Sequence, residues 1–393
     1  MGRARGQDTD LVIVGGGPVG ATLALALAGS GLDVTVLEAR PDAAPPTDPR
    51  AIALSYGSRL ILQRLGVWDA LAPATTPIRA IHISQQARLG RSVLTAQESG
   101  QPELGCVVDY GALYGALSGA LEASGIPVLY GAQATALATS TDAATVTFTR
   151  QGVEQQRSAA LAVVADGGRS LKEIPGIRKE AHDYGQTALV ARVETELPHG
   201  NVAYERFTPR GPLALLPWGE RAFALVWTET PEAAQALTTL NKADFLQQLH
   251  THFGDRQGRF VKVQDRGVFP LKLARARPVA TQRLAVIGNA AQTLHPVAGQ
   301  GFNLGLRDAW ELAQILAATP QGQLGGSTML ARYQSGRRAD TGGGILFTDF
   351  LVRTFSNDIP GFGAVRGYGL AALELLAPAK RFVVGKMSFG ARG

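Results

Sequence analysis

The chain has 393 residues, 45% hydrophobic and 18% charged, with 47 glycines and a net charge of +6, a mixture that excludes a disordered chain and a marginal miniprotein. Its single cysteine, Cys106, excludes an internal disulfide and any dithiol redox pair, and within Gly105-Cys106-Val107-Val108 it reads as a packed thiol. The Lys and Arg residues are scattered, with no interleaved aromatic platform, which argues against nucleic acid as a partner.

Taken in chain order, the first predicted element is a strand over Leu11 to Val14. A helix over Ala21 to Ala28 follows, stopped by Gly29-Ser30-Gly31, and then a strand over Asp33 to Leu37, together a βαβ unit. The uncharged stretch between Asp10 and Asp33 could pass for a secretion signal or a membrane span, but Gly15, Gly16, Gly17 and Gly20 suit a strand, turn and helix better. Strands are expected over Val128 to Leu137, Ala144 to Phe148 and Leu161 to Ala165, the last ending in Asp166-Gly167. From about Thr187 to Thr228 the strands lengthen and carry aromatics, as in Ala203 to Phe207 and Phe223 to Trp227, which predicts an antiparallel sheet. A buried strand returns at Leu284 to Gly288, followed by a loop to Gly301. The next helix has an apolar face of Phe302, Leu306, Ala309, Ala313 and Leu316. Beyond Thr341 the chain reads as amphipathic helix broken at Pro360 and Pro378, with Arg353, Arg366, Lys380, Arg381 and Lys386 on its polar side.

Gly15-Gly16-Gly17-Pro18-Val19-Gly20 matches G-x-G-x-x-G between strand and helix. Gly15 makes the tight turn, Gly17 lets backbone approach a pyrophosphate, and Gly20 lets helix and strand pack. Glu38 closes the second strand, roughly 20 residues on, where a carboxylate accepts hydrogen bonds from an adenosine ribose. This predicts a bound dinucleotide without separating FAD from NAD.

The separation comes from the run Gly288-Asn289-Ala290-Ala291-Gln292-Thr293-Leu294-His295-Pro296-Val297-Ala298-Gly299-Gln300-Gly301-Phe302-Asn303-Leu304-Gly305-Leu306-Arg307-Asp308-Ala309. It resembles the ubiquinone-biosynthesis hydroxylases among the p-hydroxybenzoate-hydroxylase-like flavoproteins. Gly299 and Gly301 would let backbone approach a flat ring, and the helix from Phe302 would aim its positive end at the negative charge of a reduced flavin. The resemblance implies that FAD lies against this loop, contacted by Gly288, Asn289, Gly299, Gln300, Gly301 and Asn303. Two further stretches carry it: Ala165 to Ser170, which implies Asp166 bordering flavin and nicotinamide, and Pro49 to Leu54, which implies Arg50 approaching FAD. Asn289 stands where much of the family has Asp; an amide can still bond a ribityl hydroxyl.

The resemblance implies a mixed α/β chain with the p-hydroxybenzoate-hydroxylase-like fold. A discontinuous FAD-binding domain would comprise 1–75, 96–180 and 265–340, a substrate domain with an antiparallel sheet 76–95 and 181–264, and a C-terminal helical region 341–393. It implies an aromatic monooxygenase that takes reductant from NADPH or NADH and oxygen from dioxygen. The substrate would be a polyprenyl phenol, hydroxylated at position 4 of 2-octaprenyl-6-methoxyphenol in the closest reading. Another ring-position hydroxylase, a catabolic phenol hydroxylase and a non-catalytic nucleotide-binding regulator are the rivals. A flavin halogenase is disfavoured because no Gly-Trp dipeptide occurs. No second glycine fingerprint is present, so the nicotinamide would bind transiently.

His295 and Pro296 are the catalytic candidates, with His295 read as positioning the flavin loop rather than as an acid or base. His250 and His252 point to different faces of a helix and are read as solvated, with no metal. The C-terminal helices either dock on a membrane surface or lipid carrier or simply cap the domains. The expected setting is cytoplasmic, peripheral to the inner face of the membrane, with other ubiquinone-biosynthesis proteins as further partners.

Overall fold

A computed structural model describes residues 7–48, 50–86, 90–171, 173–293, 300–355 and 362–390. The strand Thr9–Val14 is buried throughout and its side chains alternate between two cores. Leu11 and Ile13 pack with helices Pro18–Ala26, Tyr110–Ala123 and Gln300–Ala317 on one face. Val12 and Val14 pack against Phe148 and Leu284 on the other. Burial on both faces is why these strands read as unbroken apolar runs.

Thr9–Val14 lies between Val153–Val164 and Val34–Glu38, and the row continues to Leu284–Val286 on one side and Val128–Tyr130 on the other, all parallel. The expected single strand over Val128 to Leu137 is two strands. The chain turns at Gly131, in positive φ, so that Val128–Tyr130 joins the parallel row while Gln133–Thr139 pairs antiparallel with Ala144–Arg150. Apolar content alone cannot show such a turn.

A second eight-stranded sheet runs Gln292–Thr293, Phe260–Arg277, Arg178–Thr195, Ala222–Glu229, Gly211–Trp218, Val202–Thr208, Ala80–Gln85 and Arg91–Thr95. Its pairs are antiparallel except Val202–Thr208 with Ala80–Gln85, which run parallel. One face carries Leu213, Leu215, Phe223, Leu225 and Trp227 against Phe245, Leu249 and Phe253 of helix Lys242–Phe253. The alternate residues, Ala214, Leu216 and Val226, face the parallel-sheet side. The two 18-residue strands Arg178–Thr195 and Phe260–Arg277 pair along most of their lengths and tie this sheet to the parallel one. A third sheet of Ala51–Ser55, Gly105–Asp109 and Thr75–Ile78 lies in the same region of the chain.

Candidate functional site

The turn after Thr9–Val14 is shaped by close contact. Gly15 has φ +106°, and a Cβ there would come within 2.7 Å of the Asp166 backbone. At Gly20 a Cβ would fall onto the Gly15 carbonyl oxygen, which fixes how closely helix and turn pack. A Cβ on Gly17 would meet nothing within 4 Å, because this glycine faces open space. Helix Pro18–Ala26 starts at Gly17 with no side-chain cap, and Gly17, Pro18 and Val19 line a cavity of about 560 Å³. Its free N–H groups and positive end therefore suit a phosphate-bearing ligand.

Glu38 lines the same cavity and is itself buried. Its Oε2 accepts from the Gly16 N–H at 2.6 Å and its Oε1 from the Arg40 N–H at 2.9 Å. Asp166 accepts from the N–H groups of Gly168 and Ser170 at 2.7 and 2.6 Å, holding its loop at the cavity wall. Arg50 also lines the wall, paired with Asp48 at 2.6 Å and lying 5.3 Å from the Tyr110 ring centre. Burial opposes ionisation of Asp48, and the hydrogen bonds from Arg50 outweigh it, holding that carboxyl below its usual range.

From the other side come Gly288, Asn289, Gly301, Phe302 and Gly305. Gly288 has φ +61°, and a Cβ there would press on Val19 at 3.1 Å; one on Gly305 would lie 3.2 Å from the Gly288 Cα. Helix Gln300–Ala317 can approach the first turn only because both positions lack side chains. Buried Asp308 locks this arrangement by accepting from the Gly288 N–H at 2.9 Å and Gln292 Nε2 at 2.6 Å. Arg337 pairs with Asp308, and also with Glu311 at 3.0 Å and Asp340 at 2.9 Å. Burial is the main influence on Asp308 and raises its carboxyl, with Arg337 opposing.

Gln300 and Asn303 are buried and do not line this cavity. The Asn303 Oδ1 accepts from the Ser55 N–H and the Ser58 hydroxyl, both at 2.7 Å, and its Nδ2 donates to the Ala53 carbonyl at 2.9 Å. Its amide thus ties the helix to strand Ala51–Ser55. His295, Pro296 and Gly299 lie outside the described residues.

Arg40, Tyr110 and Tyr114, which sequence reading did not single out, also line the cavity, as do Arg169 of the Ala165 to Ser170 stretch and Glu205. Arg40 lies 4.4 Å over the Tyr114 ring and keeps a buried, unpartnered Nη1. No local motif marks Arg40, Tyr110 or Tyr114. A second, mostly apolar cavity of about 260 Å³ adjoins the first through Arg50, Ala51, Ile52 and Val226.

The other sequence candidates sit elsewhere. His250 is half-buried, bonded to Asp255 at 2.8 Å, while His252 packs 4.9 Å from Trp227; neither is simply solvated, because the helix lies on the aromatic core. Cys106 is buried and desolvation pushes its thiol up to about 12. The expected polar face of the C-terminal helices is corrected at two positions. Lys380 is 4% exposed, bonded to Glu98 at 3.0 Å and Glu374 at 3.1 Å, and Arg366 is also buried. Periodicity counts a cation as solvent-facing, whereas here an acidic neighbour from another segment draws it inward.

One cavity thus joins an uncapped helix N-terminus, a glycine turn, a buried carboxylate, three guanidinium groups and an apolar sheet face. The cationic end fits a pyrophosphate, Glu38 fits a ribose, and the apolar face fits a ring. A family model described as an FAD binding domain matches residues 8–341. Ubiquinone hydroxylase UbiL of Rhodospirillum rubrum is 38% identical, over 95% of this chain and 87% of that protein. The 3-demethoxyubiquinol 3-hydroxylase of Escherichia coli is 36% identical, over 95% of this chain and 97% of that protein. The crystal structure of p-nitrophenol 4-monooxygenase PnpA from Pseudomonas putida DLL-E4 shares the fold, with a TM-score of 0.77 at 18% identity over 98% of this chain and 99% of that one. Fold and family together define an FAD-dependent monooxygenase of the p-hydroxybenzoate-hydroxylase-like type. The chain belongs to the ubiquinone hydroxylases of that type.

Proposed function

We propose that the chain hydroxylates the ring of a polyprenyl phenol in ubiquinone biosynthesis, using NADPH or NADH and dioxygen, with 4-hydroxylation of 2-octaprenyl-6-methoxyphenol as the particular reaction. The observation that carries this reading is the continuous cavity from Gly17 and Glu38 to Ala214, Leu216 and Val226. Bound FAD would supply the redox chemistry, accepting hydride from the nicotinamide and activating dioxygen.

In this reading Gly15, Gly17 and the N–H groups of helix Pro18–Ala26 bind the pyrophosphate, with Gly20 keeping that helix close. Glu38 accepts from the ribose, and Arg50 and Asp166 border the cofactor. Gly288, Asn289, Gly299 and Gly301 hold the ribityl and ring side. Asn303 acts by fixing strand Ala51–Ser55, and His295 with Pro296 orients the flavin loop. We assign the FAD-binding, substrate and C-terminal regions as in the sequence analysis, with the boundaries at 180 and 264 falling inside the two long strands. The apolar side cavity lined by Val190, Trp218, Phe269 and Leu271 has the chemistry to receive the start of an isoprenoid tail and to keep water from the ring.

The substrate's tail also bears on where the protein works. Among the described residues no helix is long and apolar enough to cross a membrane. At the elbow between helices Phe362–Leu375 and Ala377–Phe389, Leu375 is 84% exposed, Tyr368 77% and Phe382 64%. Arg381 is exposed beside them, and Lys386 lies 5.5 Å from the Phe382 ring centre. We assign this face to contact with an anionic membrane surface on its cytoplasmic side, where apolar insertion and cationic attraction add.

A second reading, hydroxylation at ring position 3, is favoured by the name of the Escherichia coli relative. Mass spectrometry of products from a panel of prenylated phenols, with the ring position read by proton NMR, tests both. A 4-hydroxylated product supports the first reading and a 3-hydroxylated one the second. Nicotinamide oxidation with no hydroxylated product would overturn both.

A further inference from the structure

We propose that Glu205 is the catalytic base that accepts the phenolic proton of the ring substrate, a role that rests on the site being a phenol hydroxylase. Glu205 sits in the middle of strand Val202–Thr208, opposite Ala214 on one neighbouring strand and Ile83 on the other. Alternation puts it on the face shared by Ala203 and Phe207, while Tyr204 and Arg206 point the other way. Its surroundings on the sheet are therefore apolar, and it looks into the large cavity with Leu216 and Val226. Its Oε1 is buried and has no hydrogen-bond partner among the described residues.

An unpaired carboxyl at such a position is unfavourable for folding, so a packing role does not account for it. The other charged side chains lining the cavity are Glu38, Arg40, Asp48, Arg50, Asp166 and Arg169, and all come from outside this sheet. A further acid beside Glu38, Asp48 and Asp166 would repel a pyrophosphate, so Glu205 does not suit that end of the cofactor either. What remains is the ring substrate, whose hydroxyl is its one proton donor and needs an acceptor on an apolar wall. Burial pushes the Glu205 carboxyl up to about 7, which brings it closer to a phenol near ~10 and suits it to general-base work.

The step balances simply. The substrate O–H bond breaks, its electron pair stays on the oxygen, and the proton forms a bond to Glu205 Oε1. Phenolate character raises electron density on the ring carbon that takes the oxygen atom. When turnover ends the carboxylic acid returns its proton to the product oxygen, so none is gained or lost by the protein at this residue.

The test is the pH dependence of hydroxylation by the holoenzyme, with nicotinamide and oxygen saturating and 2-prenylphenol as probe. In the native protein the rate should rise with pH through about 7, where Glu205 becomes a base. Glu205→Gln should abolish that rise and slow hydroxylation about 100-fold, with FAD content and melting temperature retained, and Glu205→Asp should restore part of the rate. A fluorinated, more acidic phenol should recover much of the loss in Glu205→Gln. A flat native profile, or the same profile and rate in Glu205→Gln, overturns the assignment. If Glu205→Gln weakens binding of the probe to the oxidised holoenzyme, read by the flavin absorbance change, yet no prenylated phenol is hydroxylated, the phenol contact stands and the functional reading fails instead.

Discussion

The N–H of Gly16 donates to Oε2 of Glu38 at 2.6 Å, so the carboxylate proposed to accept from a ribose also pins the glycine turn. Glu38→Arg removes this acceptor and the one used by Arg40, from a residue that is buried. Losing a charged hydrogen bond costs about 1–3 kcal/mol, so FAD affinity should fall roughly ten- to hundred-fold. Titrating FAD into the apoprotein measures it. Glu38→Gln, which keeps one acceptor oxygen, should lose less, and unchanged affinity in Glu38→Arg would remove Glu38 from the site.

Gly17 and Gly20 belong to one motif but should fail differently. A Cβ on Gly17 meets nothing within 4 Å, while one on Gly20 meets the Gly15 carbonyl oxygen. Gly17→Ala should melt like the native apoprotein yet bind FAD poorly, because the methyl group occupies the space a pyrophosphate needs. Gly20→Ala should lower apoprotein stability by about 1–3 kcal/mol or more through overpacking. Denaturant melts of both apoproteins, with FAD titrations beside them, separate the two roles.

Lys380 joins the C-terminal helix to Glu98 and Glu374. Its hydrogen bond holds the Glu98 carboxyl below the usual 4.5. At Glu374 burial works upward, and the Val93 N–H and Lys380 outweigh it. Lys380 itself is raised, its two partners overcoming desolvation. The acids contribute stability that is present above pH 4.5 and lost as pH falls through their lowered folded values. The lysine's share is full below 10.5 and disappears as pH rises through its raised one. Lys380→Ala should therefore lower the melting temperature by roughly 2–5 °C at neutral pH, with the gap from the native protein closing in acid. A constant gap from pH 3 to pH 8 would contradict the ion-pair account.

The exposed elbow makes its own forecast. Leu375→Glu together with Phe382→Glu should reduce co-sedimentation with vesicles containing phosphatidylglycerol at least about tenfold, since each apolar side chain contributes on the order of 1–3 kcal/mol on burial. Both side chains are exposed, so FAD content and melting temperature should not change. Arg381→Ala should weaken binding less, and only at low salt. Vesicle binding equal to that of the native protein would leave this face without the proposed role.

What the sequence determined by itself was local and periodic. Gly15, Gly17, Gly20 and Glu38 form a short-range pattern whose steric and hydrogen-bonding demands can be read from spacing, and the apolar runs at 11–14, 161–165 and 284–288 mark buried strands. The family resemblance of 288–309 likewise lies within one continuous segment. Other features depend on segments far apart in the chain. The resemblance implies that Asn303 contacts the cofactor, whereas its amide bonds Ala53, Ser55 and Ser58. Periodicity places Lys380 toward solvent, whereas Glu98 and Glu374 lie beside it. Arg40, Tyr114 and Glu205 meet in one cavity only because two sheets are tied by the long strands Arg178–Thr195 and Phe260–Arg277. Backbone propensity and hydrophobic period are properties of neighbours in sequence, whereas the charge environment of a side chain is set by whatever the fold brings within a few ångströms of it.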